Sequence, residues 1–269
     1  MTSIFGAALS VACTVSIAAA ADAVEQAPEP QFDATRFDAQ PKERSWTLIL
    51  GAGGIYEPTY EGGDDFEVTP VPFVVFTYGD WLAIDPRGVT VTPFEKNGFS
   101  VSGKVGYETG RDEDDDDRLQ GLGDIDFAAT VGAKVAYEWQ GLEVYAAVDQ
   151  TIDGSESLLG TFGVEYTAPV TERFFVGAEA KATVANDKHM KAYFGVNSQQ
   201  AAASGLSEYK AEAGLKRVDV SVNATYALTQ NWLVRGEAGV GFLTGDAADS
   251  PIVKEKTQPS ASLFVGYKF

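Results

Sequence analysis

Residues 124–139, DIDFAATVGAKVAYEW, divide at a period of two into unlike faces. One face holds Ile125, Phe127, Ala129, Val131, Ala133, Val135, Tyr137 and Trp139, with no charge among them. The other holds Asp124, Asp126, Thr130, Lys134 and Glu138 among small residues. Strict alternation specifies a strand with one face in an apolar medium. Strands of soluble domains run about 5–6 residues, whereas a strand crossing a bilayer needs roughly 9–11, with aromatic side chains at the water boundaries. This stretch has the greater length and ends its apolar row on Tyr137 and Trp139.

The same pattern recurs along the chain. Alternating segments are legible at 46–56, 66–78, 81–94, 99–110, 142–149, 158–169, 173–185, 218–226, 232–243 and at the C-terminus, where Leu263, Val265, Tyr267 and Phe269 share a face. A terminal aromatic closing such a row resembles the recognition signal of outer-membrane barrel proteins. Tight connections such as Gln140-Gly141 alternate with long polar ones such as 111–117 and 186–208, as periplasmic turns alternate with external loops in these barrels. The expected fold is therefore all-β, a transmembrane antiparallel up-and-down barrel. Eleven segments are countable, but single-chain bacterial barrels have even strand numbers. Splitting 81–94 at Pro86-Arg87-Gly88 gives twelve strands, the preferred count, and merging segments to give ten is the alternative. Pro70 and Pro72 fall inside another segment and mark an edge, a bulge or a bend there. A β-sandwich or lipocalin-like barrel would also alternate, with its apolar side turned inward. The strand lengths, the end aromatics and the terminal Phe269 favour the membrane.

Upstream of the barrel, the apolar run from Ile4 to Ala20 followed by small residues reads as a secretory signal peptide, residues 1–21. Residues 22–44 are polar, contain proline and lack periodicity, which describes a flexible periplasmic leader. The barrel domain is then 45–269. Cys13 is the only cysteine and lies in the signal segment, so the mature chain has no thiol for a disulfide, a nucleophile or a metal site.

A net charge of -19 excludes nucleic acid as a partner, since phosphate binding requires a basic surface. The acidic run 111–117, with Asp124 and Asp126 nearby, has carboxylates of the kind that hold Ca²⁺ or Mg²⁺, but not the spacing of an EF-hand loop. A solvated acidic loop is the preferred reading. His189 is the only histidine, so a serine–histidine hydrolase would have to use it, with Asp187 and Ser198 in the same connection. Their spacing matches no catalytic motif, and no catalytic, cofactor or metal residue is assigned. On the polar faces, Lys104, Lys134, Lys181 and Arg235 accompany Glu108, Glu138, Glu143, Asp149, Glu179, Asp219 and Glu237. These rows can pair across neighbouring strands and plug the lumen, or line a narrow path that prefers cations.

Five stretches resemble the MipA/OmpV family of outer-membrane proteins: GAGGIYEPTYEGGDDFEVTPVPFV at 51–74, the 106–126 region around GRDEDDDDRLQGLGDID, NDKHMKAYFGVNSQQAAASGLSEYKAEAGLK at 186–216, TYALTQNWLV at 225–234 and LTGDAADSPIV at 243–253. The leader 22–44 is not part of that pattern. The resemblance implies an outer-membrane barrel without enzymatic activity and without a cofactor, in contact with outer-membrane lipid and lipopolysaccharide. For the founding member it implies a scaffold joining a lytic transglycosylase to a peptidoglycan synthase. The alternatives kept from the residues are a narrow cation-preferring channel and a barrel enzyme acting on lipid acyl chains.

Overall fold

The computed structural model describes residues 45–269. The expected signal peptide and leader lie outside the described residues. Twelve antiparallel strands close into one barrel: β1 (Trp46–Pro58), β2 (Phe66–Tyr78), β3 (Leu82–Asp85), β4 (Gly88–Lys96), β5 (Phe99–Glu108), β6 (Ala128–Trp139), β7 (Leu142–Ile152), β8 (Leu158–Thr171), β9 (Phe174–Ala185), β10 (Gly214–Ala227), β11 (Trp232–Leu243) and β12 (Thr257–Lys268). Each strand pairs with its sequence neighbours, and β1 pairs with β12 to close the wall. The turn at Pro86-Arg87 does separate two strands, which resolves the parity in favour of twelve.

Alternation decides which face meets lipid. Val131, Val135, Tyr137 and Trp139 of β6 are exposed outward, while Lys134 and Glu138 turn inward. The strand starts at Ala128 rather than Asp124. Ile125 continues the apolar pattern because it forms an isolated bridge with Arg111 across the base of the loop, so periodicity runs past the end of the wall.

Short turns lie on one rim, where Asn97 and Gly98 (φ 54 and 82) and Gln140 and Gly141 (φ 52 and 84) adopt the left-handed pairs that tight hairpins need. Exposed aromatics gather at this rim, including the contacts Tyr78–Trp81 at 6.0 Å and Trp232–Tyr267 at 5.1 Å. At the other rim Tyr56 stacks on Phe66 and Tyr107 on Phe127, at 5.2 and 5.3 Å. An uncharged outer wall between two aromatic girdles is the signature of a transmembrane barrel, with the short turns periplasmic and the long loops external.

Inside, the wall is two-sided. Across β1, β2, β11 and β12, Ile49, Ile55, Val71, Phe73, Val75, Leu233 and Phe264 form a buried apolar cluster. Phe73 and Phe264 meet edge-to-face at 5.8 Å over Gly51 and Gly53, where a Cβ would fall 2.3 and 2.1 Å from the rings. The opposite wall, β6 to β11, is polar.

The external connections are folded. The long β9–β10 connection contains α1 (Asp187–Phe194) and α2 (Ser198–Ser204), and the β11–β12 loop contains α3 (Gly245–Ala248). The Asn186 side chain accepts from the His189 amide to cap α1, and Asn197 forms a capping box with Gln200 on α2. Neither helix is long enough to show a sustained period in the sequence.

Candidate functional site

Two polar regions occupy the barrel: the charged rows of the lumen and a buried cluster beneath the external loops. In the lumen, β6 to β9 bring Glu138 opposite Glu143, Glu143 opposite Glu165, and Glu165 opposite Glu179. Like charges directly opposed destabilise a sheet unless cations intervene. Lys134 bonds Glu143 at 2.7 Å and lies 4.4 Å over the Tyr145 ring, whose hydroxyl donates to Glu179 at 2.5 Å. Lys181 stands 4.0 Å from Glu179. On β10 and β11, Arg217 pairs with Asp219 at 2.5 Å and Arg235 with Glu237 at 3.1 Å. Pairing thus runs partly across strands, as the alternating signs led one to expect, and partly between residues two apart on one strand. The carboxylates and arginines of these pairs are buried and the two lysines partly so, so ion pairs line the lumen wall.

Four external loops interlock over the mouth. Tyr60 donates to the Ile252 carbonyl at 3.0 Å, Arg111 to the Tyr193 carbonyl at 3.0 Å, Ser250 to the Phe194 carbonyl at 2.7 Å, and Gln200 to the Leu122 carbonyl at 2.6 Å. Below them Met190, Tyr193 and Phe194 of α1 pack with Leu243, Ala247 and Ala248, and Tyr60, Leu119, Leu122, Val196 and Ile252 form a second apolar layer. Together they make a lid. Burial pushes the Tyr60 hydroxyl above the ordinary phenol range, aided by Asp116, and lowers Arg111 from the ordinary guanidinium range.

The acidic loop belongs to this lid. Glu113 accepts from the amides of Gly121 and Gly123 at 3.0 Å, Asp124 from Glu113, and Asp116 from Arg118. Lys254 reaches Asp64 at 3.0 Å and Asp116 at 3.2 Å, and these bonds raise its pKa. The carboxylates hold backbone amides and a lysine. Among the described residues, no group of three or more acids, histidines or cysteines is placed to hold a metal ion.

His189 lies fully buried under the lid. The sequence offered Asp187 and Ser198 as its companions, and the structure separates them. Asp187 accepts from the Ala213 amide, and Ser198 opens α2. The residue at His189 is instead Ser157, from the β7–β8 loop, with its Oγ 2.8 Å from Nδ1. Ser157 Oγ lies 2.5 Å from Ser155 Oγ, and Ser155 donates to Glu108 at 2.7 Å. Tyr193, stacked on the imidazole at 4.5 Å, donates to the other Glu108 oxygen at 2.8 Å. On the far side of the ring, Lys216 Nζ sits 3.2 Å from Nε2 and 3.4 Å from Glu61, and Glu61 is 3.6 Å from Arg217. No local spacing in the sequence links Ser157 to His189.

Serine, histidine and glutamate in contact suggest a triad, but the protons run the wrong way. An ammonium has donors only, so Lys216 makes Nε2 an acceptor and leaves the ring proton on Nδ1. His189 then donates to Ser157, whereas a nucleophilic serine must donate to the histidine. Burial and the Lys216 charge also drive the His189 pKa well below its ordinary value, so the ring is neutral. The cluster is a buried hydrogen-bonded network that ties β5, the β7–β8 loop, α1 and β10 together.

Residues 50–269 match the family model described as MltA-interacting protein MipA. The chain belongs to the MipA family. Membership and the apolar outer wall together make this an outer-membrane β-barrel protein. The comparison with curated protein sequences finds no match. Among solved structures, the chain is similar to OmpT of Vibrio cholerae (9% identity, 85% of this chain and 99% of that one, TM-score 0.38). It is also similar to Salmonella typhi OmpF in complex with daunomycin (11% identity, 83% and 97%, TM-score 0.39). At those scores the likenesses carry no argument, and the barrel rests on its own strand pairing.

Proposed function

We propose that this MipA-family barrel is a non-catalytic scaffold of the outer membrane that docks a peptidoglycan-remodelling enzyme at its periplasmic rim. The observation that carries the proposal is the covered, ion-paired barrel: ion pairs line the lumen wall and a folded lid covers the mouth. A barrel built this way spends its interior on rigidity and leaves its rims for contact. The family description, an MltA-interacting protein, supports a lytic transglycosylase as the partner. The short periplasmic turns and Trp46, where residues 22–44 join the wall, lie on the rim such a partner would reach.

A pull-down from detergent-solubilised envelopes, with both proteins at native levels, should recover a lytic transglycosylase. Repeated failure to recover one removes the scaffold reading. The folded lid over the mouth opposes the cation channel, so planar-bilayer recordings of the purified barrel should be silent. The tautomer of His189 opposes acyl hydrolysis, and any lipase activity abolished by His189→Ala would overturn that.

A further inference from the structure

Pro70 and Pro72 have a physical reason for standing in β2. Backbone bonds alternate sides along a strand. The Phe269 amide donates to the Leu48 carbonyl at 3.0 Å, so even positions of β1 bond to β12 and odd positions face β2. The register Ile49↔Val75 and Gly51↔Phe73 then turns the odd positions of β2 toward β1 and its even positions the other way. On that other side β3 pairs only with Phe76, Thr77 and Tyr78. β3 stops at Asp85, and β4 starts at Gly88, already level with Gly106 near the outer end of β5. On that side, among the described residues, no strand pairs with β2 from Phe66 to Val75. β3 and β4 both end below the outer half of β2, which leaves the wall open between that edge and the outer end of β5.

The chemistry of this edge is selective. Pro70 and Pro72 have no amide hydrogen, so the middle of the edge offers carbonyl oxygens without donors. A strand adding to the sheet needs both, which disfavours a second copy or a partner peptide. Plain hydrocarbon fits no better, because backbone oxygens inside a bilayer need partners. The outward flanks are apolar: Val68 is 68% exposed and Val74 52%. The floor is fixed, with the Arg87 amide on Asp85 at 2.7 Å and the Tyr107 hydroxyl on the Pro86 carbonyl at 2.6 Å.

We infer that the opening between β2 and β5 is a preformed slot for one acyl chain of an outer-leaflet lipid that carries a hydroxyl or amide donor, the chemistry of lipid A. The chain runs along Val68 and Val74, and its donor bonds the carbonyls of Pro70 and Pro72. The slot is independent of the scaffold reading.

The test uses full-length protein purified in mild detergent and native mass spectrometry, with lipid A and a plain-chain phosphatidylethanolamine as probes. One lipid A should be retained per barrel, at least fivefold more than phosphatidylethanolamine. Val74→Trp should cut that retention at least fivefold, and Pro72→Val, which restores a donor to the edge, should lower it too. Val222→Trp, on the uninterrupted wall of β10, should leave it unchanged. A shift in gel mobility on boiling checks that each variant is folded. Equal retention of both lipids, or of lipid A by every variant, overturns the inference. So does a dimer that Val74→Trp dissolves, because a second copy would then cover the edge.

Discussion

Lys216→Met tests how the lid is fastened. The lysine contacts Glu61 at 3.4 Å and His189 at 3.2 Å, and its side chain and that of Glu61 are each 2% exposed. Methionine replaces the aliphatic stem with little change in volume, so the loss is electrostatic. Removing one partner of a buried ion pair costs about 3–5 kcal/mol. Arg217 remains 3.6 Å from Glu61, which places the cost at the lower end, about 3 kcal/mol. Urea unfolding of the barrel in lipid vesicles, followed by tryptophan fluorescence, measures it. Hydrogen exchange should rise first in residues 59–65, the loop that carries Glu61. Adding Glu61→Gln should restore about 2 kcal/mol relative to additivity, because the stranded charge is gone. A single-variant cost below about 0.5 kcal/mol, the range of ordinary surface changes, would refute the reasoning, and so would strict additivity.

Acid should loosen the same region. The folded His189 resists protonation while the unfolded one titrates near 6.5, so stability present above pH 6.5 is lost as pH falls below it. The urea midpoint should therefore fall between pH 7.5 and 5.5, and His189→Gln should remove that pH dependence. Asn186→Ala should cost about 1 kcal/mol by uncapping α1, visible as faster exchange of the α1 amides. Gly53→Val should prevent closure of the barrel, since its Cβ would lie 2.1 Å from the Phe264 ring, and the boiled and unboiled protein should then co-migrate on a gel.

The wall was legible because lipid imposes one rule on every strand: residues such as Val131, Val135 and Trp139 must all point out, and that rule has a period of two. The tight turn at Gln140-Gly141 was legible because a glycine there carries its own geometry. The lid was not. Its apolar layers join residues as far apart as Tyr60 and Ile252, and contacts of that kind leave no periodic trace. Ser157 came to His189 through the β7–β8 loop, which nothing local announces. Pro70 and Pro72 lay between these cases. They marked an edge, a bulge or a bend, and only the register of β1, β2 and β3 showed that it was an edge and which side of the strand was bare.

The seam between β1 and β12 differs in kind from the rest of the wall. Every other neighbouring pair joins strands that follow one another in the chain, the longest connection being 186–213. Joining Ile49 to Lys268 and Tyr56 to Ala261 instead brings together the two ends of the domain, a closure whose entropic cost grows with the length of chain enclosed. Contacts of such high sequence separation form slowly, so the seam sets the pace of assembly. Until it shuts, β1 and β12 each present a free edge in the bilayer, and the sheet is an open ribbon with two sites for mispairing. The bond from the Phe269 amide to the Leu48 carbonyl lies at the end of that seam and holds the register of β12 against β1 as the ribbon becomes a cylinder.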